Sequence, residues 1–457
     1  MLVNAVRSDT DMLISNGLDL DGAPLSLRLR HGSIAERAPS LAAHPGERII
    51  DAKGCTVIPG LHDHHVHLRS AAASLDSIPL GPPVISTHAQ AVRAVRTAHP
   101  RADGWVRAVG YHESVAGRLD RGVLDHWRSD VPVRVQHRSG ALWIVNSAGL
   151  QKLDQSDHPD GLLFRRDADV GRRAGDTGGN LIAIGKLLSA LGVTGCTDAT
   201  PDMGSRAIDY FVEEIRTGRF RQNVHLLTRR DRTTRAVTFG PVKRLLDDTD
   251  LILDDLVEWI RDVHDADQSI AVHCVTVAQL VLTMVALRST GIRPGDRIEH
   301  AAMVPQDALD ELAELGVTVV TSPNFIAERG EQYLRDIDAS CHHQLWRVAS
   351  LVHAGVSTVC GTDAPFGDID PWACMRAART RSTPSGAVIG ATEQIGSRTA
   401  LEMFLGAADS PTRLRLLQPG HVADLCILAA TPATVLAELS ADLVRTTIIR
   451  GEVVFGR

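Results

Sequence analysis

The sequence has no long run of charge of either sign. Its 48 basic and 55 acidic residues are dispersed over 457 positions and leave a formal net charge of −7. Nucleic acids and anionic membranes are bound by basic patches, so we expect neither as a partner. No apolar stretch approaches the roughly 20 residues that a membrane span requires. The N-terminus has no basic start followed by an apolar segment, so no signal peptide is predicted either.

Paired cysteines are missing as well, and so are internal repeats and low-complexity segments. An odd, dispersed set of cysteines without CxxC spacing indicates reduced thiols in a long chain, not a disulfide framework. Together with the expected lack of a signal peptide, this predicts a cytoplasmic protein. The seven cysteines are Cys55, Cys196, Cys274, Cys341, Cys360, Cys374 and Cys426.

What the sequence does contain is a long alternation of strand-like and helix-like segments. Its length and its 44% of hydrophobic residues suit one large α/β barrel with an accessory unit. Amphipathic segments such as LDDLVEWIRDVHDA separate several of the strands, and eight strands in this rhythm predict a (β/α)8 TIM barrel. The eight candidate strands are TVIPGLHDHHVHL, GVTGCTDAT, NVHLLTR, AVTFGPVKRLL, SIAVHCV, DRIEHAA, GVTVVTSPN and GVSTVCGTDAP.

The two ends of the chain differ from this middle part. Residues 1–56 and 411–457 have the pattern of short β-strands joined by turns, and we expect them to meet in one small β-sandwich. The barrel then spans residues 57–410. Between its first and second strands lies a large insert, about residues 70–190, with strand-like segments of its own in GWVRAVG and VPVRVQHRSG.

Four histidines lie within six positions of VIPGLHDHHVHL, at the end of the first barrel strand. Side chains of a strand alternate between its faces. Asp63, His65 and His67 should therefore share one face, and His62 and His64, which we expect to pack, should share the other. Catalytic residues of such barrels project from the carboxyl ends of several strands. His65 and His67 are thus candidate ligands of a zinc-like ion, and the alternative is two polar residues facing solvent.

Four more ligand-type residues stand late in other candidate strands. His273, His300 and Asp363 each end an apolar segment, and Lys243 lies late in the fourth strand. Each of them alone is more simply explained as a structural or solvated residue. All of them at strand ends of one barrel would meet at the same mouth, which favours a shared metal site.

These residues resemble those of the amidohydrolase superfamily of metal-dependent hydrolases. PGLHDHHVH matches its PGxxDxHxH signature, and the order HxH, Lys, His, His, Asp matches its binuclear subtype. LQPGHVADLCIL followed by VRTTIIRGEVVF is similar to the family's C-terminal return to the small sandwich. The large insert, LWIVNSAGL, EHAAMVP and GTDAPFGDIDPW resemble the subgroup that is like N-substituted formamide deformylase.

One segment departs from the subgroup's pattern. The subgroup has Asp-Gly-His ahead of its Trp and Asn-Ser, whereas HRSGALWIVNS places Ser139, Gly140 and Ala141 there. A substrate contact cannot be carried over from the missing histidine, and His137 is a candidate replacement.

The resemblance implies two divalent metal ions, for which zinc suits the imidazole and carboxylate ligands. His65 and His67 would bind the more buried ion together with Asp363, and His273 and His300 would bind the second. Lys243 would bridge the two after carboxylation by CO₂, because a free ammonium has donors but no acceptor.

The function that this resemblance implies is hydrolysis of a non-peptide C–N bond in a linear amide, such as an N-acyl or N-formyl amine. A metal-bridged hydroxide would attack, and Asp363 would pass its proton to the leaving nitrogen. Loops above the strand ends should select the substrate. The candidates in the insert are His112, His137 and Trp143.

Other functions remain open on the same scaffold. A mononuclear deaminase would have no use for a bridging lysine, and a lactone or ester hydrolase, a lyase or an isomerase could use the same metals. A catalytically dead scaffold protein would be expected to lose ligands. The expected partner is a small-molecule amide, and a homodimer is the candidate assembly.

Overall fold

The computed structural model describes residues 11–166, 170–171, 173, 179–230 and 233–457. The chain divides into two compact units. The first unit comprises Met1–His67, Gly185–Asp363 and Gly367–Arg457, and the second comprises Leu68–Ile184 with Ala364–Phe366. All seven cysteines are free thiols, as predicted.

In the first unit, strands from both ends of the chain share one eight-stranded sheet. Its order is β22-β21-β20-β5-β1-β2-β3, with β4 paired to β1. The antiparallel pairing of β20 with β5 joins the C-terminal strands to the N-terminal ones, over a core that includes Ile14, Leu27 and Ile427. The strands are β1 Met12–Leu18, β2 Pro24–Arg30, β3 Ser33–Ala38, β4 Arg48–Asp51, β5 Thr56–Pro59, β20 Leu425–Leu428, β21 Val444–Ile449 and β22 Glu452–Gly456.

The same unit contains two wholly parallel sheets, ordered β14-β13-β12-β6 and β15-β16-β17-β18-β19. The backbone N–H of Asp363 donates to the carbonyl of His65 at 2.8 Å, and that of Lys243 donates to Leu227 at 3.2 Å. Both edges of the five-stranded parallel sheet are thereby hydrogen-bonded to the four-stranded one. The strands are β6 Leu61–Val66, β12 Val193–Asp198, β13 Asn223–Leu226, β14 Val237–Phe239, β15 Val242–Leu245, β16 Ile270–Cys274, β17 Arg297–His300, β18 Thr318–Thr321 and β19 Ser357–Cys360.

The prediction of one strand in AVTFGPVKRLL was wrong. The structure has two strands there, β14 and β15, separated by Gly240 and Pro241. Lys243, predicted late in a strand, is therefore the second residue of β15. Proline has no N–H to donate to a ladder, so it interrupts pairing at this point. Val242 then pairs with Ile270 of β16 instead of continuing alongside β13.

Helices alternate with these parallel strands. Their buried faces follow the helical period: Leu256, Ile260 and Val263 of one helix pack with Val272 and Ile298 of the strands. The helices from residue 181 onward are Leu181–Ala190, Ser205–Arg216, Leu253–Asp265, Val277–Thr290, Ala308–Leu315, Asn324–Asp336, Ala349–His353, Pro371–Thr380, Ser397–Glu402 and Pro432–Glu438. In the part of the chain that the structure describes, none is long and apolar enough to cross a membrane.

The second unit has a five-stranded sheet in the order β11-β10-β9-β8-β7. The segments GWVRAVG and VPVRVQHRSG contribute β8 and β9, which pair in parallel. The strands are β7 Ile78–Pro79, β8 Val106–Tyr111, β9 Val133–His137, β10 Leu142–Val145 and β11 Leu162–Phe164. The helices are Leu68–Leu75, His88–Thr97, Glu113–Ala116, Arg121–Trp127 and Ser147–Lys152.

Candidate metal centre

The histidine-rich strand β6 is buried along its whole length, as expected of a strand in a parallel sheet. Its pairing with β12 is irregular: Asp63 pairs with Cys196 and Val66 with Asp198, so three steps along β6 oppose two along β12, as in a β-bulge. The predicted grouping of the histidines nevertheless holds. The rings of His62 and His64 lie 4.7 Å apart and both side chains are buried, as expected of packing residues, while the rings of His65 and His67 lie 5.5 Å apart.

His65 and His67 converge with Asp363. Their Nε2 atoms lie 3.5 and 3.4 Å from the same carboxylate oxygen, Oδ1 of Asp363. One ligand-type atom from each of the three residues falls within 4.8 Å of the others. Asp363 follows β19 in a left-handed backbone conformation with φ of 55°. Such strained positions concentrate at functional sites.

The other three predicted residues join the same cluster. The Nζ of Lys243 lies 3.0 Å from His65 Nε2. The ring of His300 is centred 4.6 Å from that of His65 and 4.6 Å from that of His273, and its Nδ1 lies 4.0 Å from Asp363 Oδ2. The structure thus brings all six predicted ligand-type residues together.

The paired histidines both present Nε2 to the cluster because their Nδ1 atoms face other groups. His65 Nδ1 contacts a carboxylate oxygen of Glu299 in a short hydrogen bond. His67 Nδ1 lies 3.3 Å from the hydroxyl of Thr200. A neutral histidine binds a metal through Nε2 or Nδ1, and here the atom that faces the cluster is Nε2.

Two buried atoms of the cluster indicate what it could hold. Among the described residues, His300 Nδ1 and Asp363 Oδ1 are buried without a hydrogen-bond partner. Leaving a buried polar atom unsatisfied costs about 1–3 kcal/mol. Bound cations would satisfy such atoms, and imidazole nitrogens with a carboxylate form the donor set that zinc prefers. The residues therefore fit a metal ion.

Burial also sets the charge states of the cluster. It holds the pKa of His65 and of His300 well below the ordinary value, so both rings are neutral and able to bind a metal. Burial lowers the pKa of Lys243 to about 8. More of this amine is uncharged near neutral pH than in an ordinary lysine, and an uncharged amine is the form that reacts with CO₂.

A buried carboxylate, Asp63, ties β6 to the end of β19. It accepts hydrogen bonds from the backbone N–H of Thr362 at 3.0 Å, from the Thr362 hydroxyl, and from the N–H of His65 at 3.1 Å. Burial raises its pKa to about 6. This contact positions His65 and Asp363 relative to each other.

Sequence reasoning missed three residues that support the cluster: Glu299, Thr200 and Thr362. A signal existed for the first of them. Arg297 and Glu299 alternate with apolar residues in DRIEHAA, and charged residues inside a barrel strand are buried only when they are paired. The two threonines carry no comparable signal, because threonine is common in strands.

In the second unit, the substrate candidates His112 and His137 lie close together, with ring centroids 6.0 Å apart. His137 contacts Glu113 Oε2 through Nε2 at 3.1 Å and Ser139 Oγ through Nδ1 at 2.8 Å. Their side chains are 16% and 18% exposed.

Trp143, the third candidate, is a core residue of the second unit. It is 4% exposed, with the guanidinium groups of Arg107 and Arg134 over its ring at 5.3 and 5.2 Å. Gly140, in the segment that departs from the subgroup, has φ of +75° and packs against Phe366, so a side chain does not fit there. A substrate contact by any of the three candidates stays a prediction.

The chain belongs to the amidohydrolase family: the model of that family matches residues 48–455. It is a metal-dependent hydrolase that acts on carbon–nitrogen bonds other than peptide bonds. An N-substituted formamide deformylase of Arthrobacter pascens is 24% identical over 438 residues, covering 79% of this chain and 80% of that protein.

Two solved structures share the fold. An uncharacterised metal-dependent hydrolase from Pyrococcus horikoshii OT3 has a TM-score of 0.73 at 18% identity, over 93% of this chain and 99% of that one. The atrazine chlorohydrolase TrzN from Arthrobacter aurescens TC1, complexed with zinc, has a TM-score of 0.57 at 14% identity, over 97% and 95%. These likenesses show an α/β fold of the TIM-barrel type.

Proposed function

We propose that the chain hydrolyses a linear amide, an N-acyl or N-formyl amine, at a centre of two zinc ions. The observation that carries this proposal is the convergence of six ligand-type residues, including a buried lysine, on one cluster. The relative from Arthrobacter pascens is an N-substituted formamide deformylase, which supports an N-formyl amine as the first substrate to try.

The proposed ligand roles follow the distances in the cluster. His65, His67 and Asp363 hold one ion, since their donor atoms lie within 4.8 Å of one another. His273 and His300 hold the other, supported by the 4.6 Å separation of their rings. Lys243, as a carbamate, bridges the two. Its burial and its lowered pKa favour the uncharged amine from which a carbamate forms.

In this proposal the ions, when bound, polarise the scissile carbonyl and lower the pKa of the attacking water. Asp363 takes a proton from that water and delivers it to the leaving nitrogen. Its carboxylate is suited to this task because it is 7% exposed and its Oδ1 has no hydrogen-bond partner in the described structure.

We also propose how the whole chain is divided into a barrel, a sandwich and an insert. The two parallel sheets, with edges joined by hydrogen bonds, form a (β/α)8 barrel over residues 57–410, in which β14 and β15 together take the place of one strand. Residues 1–56 and 411–457 form the small β-sandwich, and an insert of about residues 70–190 follows the first barrel strand. A small-molecule amide is the proposed partner, and a homodimer is the proposed assembly.

A mononuclear deaminase is the main rival. It would need no lysine among its ligands, whereas Lys243 lies 3.0 Å from His65 Nε2 and is 2% exposed. The number of ions per chain separates the two functions, because the rival binds one.

The test combines elemental analysis with a hydrolysis screen. Protein purified with zinc and bicarbonate is analysed for bound ions and assayed on matched N-formyl and N-acyl amines. We expect two ions per chain and release of the amine. His273→Ala should lose one ion, while His343→Ala, a change at an exposed histidine outside the cluster, should keep both. One ion or none in the unmodified protein would refute the binuclear centre.

A further inference from the structure

We propose that Glu299 is a positioning residue for the metal centre: together with Arg297, it fixes the ring of His65 so that Nε2 is the ligand atom. This inference rests on the proposed metal-dependent function, and no comparison with other proteins assigns a role to either residue.

Glu299 and His65 are in direct contact. Glu299 lies in β17, immediately before His300, and its side chain is completely buried. One of its oxygens, Oε2, contacts His65 Nδ1. An ionised carboxylate only accepts hydrogen bonds, so Nδ1 must carry the proton. The neutral ring then has its lone pair on Nε2.

Arg297 holds the carboxylate of Glu299 in place. Arg297 donates from Nε to Oε1 and from Nη2 to Oε2, the latter at 3.1 Å. A guanidinium is always charged and donates in a rigid fork. It therefore fixes the plane of the carboxylate and neutralises its charge in the interior.

Arg297 also holds the backbone next to His65. Its Nη2 donates to the carbonyl of His64 at 2.8 Å. The carbonyl of His64 belongs to the peptide that leads into His65. One guanidinium thus orients both the backbone that precedes the ligand and the carboxylate that contacts its ring. Nε2 of His65 is left facing Asp363 at 3.5 Å and Lys243 at 3.0 Å.

The other histidine of the pair makes a useful contrast. His67 Nδ1 faces the hydroxyl of Thr200 at 3.3 Å, and a hydroxyl can either donate or accept. That contact leaves the tautomer of His67 open. The carboxylate of Glu299, in contrast, can only accept a hydrogen bond from His65. Loss of Glu299 should therefore weaken metal binding by about 10–100-fold, as for other partners of ligand histidines.

The variant test measures the zinc dissociation constant of metal-free protein by competition with a chromophoric chelator. Glu299→Gln should bind zinc about 10–100-fold more weakly than the wild type. The matched control is Glu393→Gln. Glu393 is as deeply buried and is paired with Arg347 at 3.0 Å, so this variant should lose thermal stability and keep the wild-type zinc affinity. If both variants lost zinc affinity alike, or if Glu299→Gln bound within twofold of the wild type, the positioning role would be refuted.

A second measurement needs no folded variant at Glu299. In metal-free wild-type protein labelled with ¹⁵N-histidine, NMR reports the tautomer of each ring, and His65→Gln assigns the signal. We expect a protonated Nδ1 and an unprotonated Nε2 for His65, and the opposite tautomer overturns the proposal. If wild-type protein binds no zinc while His65 shows the expected tautomer, the metal-dependent function fails and the Glu299 contact stands.

Discussion

Each unit of this protein contains a group of histidines, and the two groups differ in what their ring nitrogens contact. In the first unit, His65 meets Glu299 through Nδ1 and turns Nε2 toward Asp363. In the second unit, both ring nitrogens of His137 are within hydrogen-bonding distance of side chains, those of Ser139 and Glu113. The first arrangement leaves a lone pair for a metal, and the second uses both nitrogens in a local network.

Burial separates the two groups further. His65 and His300 are almost fully buried, and burial lowers their pKa, which keeps them neutral. The side chain of His137 remains 18% exposed, so a small molecule can reach it. Histidine count alone therefore does not define a metal site. The deciding feature is what the ring nitrogens face: Nε2 of His65 faces Lys243 and Asp363, whereas the nitrogens of His137 face Ser139 and Glu113.

The largest expected effect is at Asp363. Asp363→Asn keeps the shape of the side chain but removes its ability to accept a proton, so kcat should fall by about 10²–10⁴-fold. Steady-state kinetics on an N-formyl amine will measure this, with circular dichroism to show that the fold is intact. A kcat above a tenth of the wild-type value would contradict the assigned proton transfer.

A slightly smaller loss of activity is expected when Lys243 is replaced. Lys243→Ala removes the proposed bridge, so activity should be lost and then partly restored by short carboxylic acids that occupy the vacated space. Lys186→Ala, at an exposed lysine, is the control and should retain activity. Intact mass of the wild-type holoprotein should show the added CO₂. An unmodified Lys243 in fully metal-loaded, active protein would reject the bridge.

In the second unit the expected effect is on selectivity. His112→Ala or His137→Ala should change the ratio of kcat/KM between two amides by about 10-fold, on the order of 1–3 kcal/mol, with unchanged metal content. The exposed His126 provides a control, since His126→Ala should leave the ratio as it is. Trp143→Ala should instead lower stability, because the tryptophan packs in the core. An unaltered substrate ranking in both histidine variants would exclude this pair as the source of selectivity.

The last expected effect does not touch activity: it is on stability, only in acid, through a buried histidine outside the metal cluster. Burial lowers the pKa of His225 to about 4 from 6.5. The unfolded chain therefore takes up the proton first as the pH falls, and stability is lost between about pH 6.5 and 4, by about 1.4 kcal/mol per pH unit at most.

Thermal unfolding at a series of pH values will measure this loss. His225→Gln should show a shallower fall in Tm across the same window. Val224→Ala, which alters a buried neighbour in the same strand, should lower Tm about equally at every pH. Equal slopes for His225→Gln and the wild type would show that His225 does not contribute.

Most of the six ligand-type residues could be predicted from local patterns in the sequence. Apolar segments ended in His273, His300 and Asp363, and the carboxyl ends of parallel strands meet at one edge of a sheet. The alternation of strands and helices predicted those parallel strands. Neither step required knowing any contact between distant residues. Lys243, the second residue of β15, was identified through the resemblance in ligand order, not through its place in a strand.

Other features were decided only by tertiary structure. The irregular register of β6 depends on its pairing with β12, which lies more than 120 positions further along the chain. Trp143 is buried in a core that also contains Leu163, from a neighbouring strand, and Val170. The sequence determined which side chains could bind a metal, because local patterns place residues at strand ends. Which nitrogen of His65 is left to bind depends on Glu299, 234 positions away, and folding alone brings such distant groups into hydrogen-bonding contact.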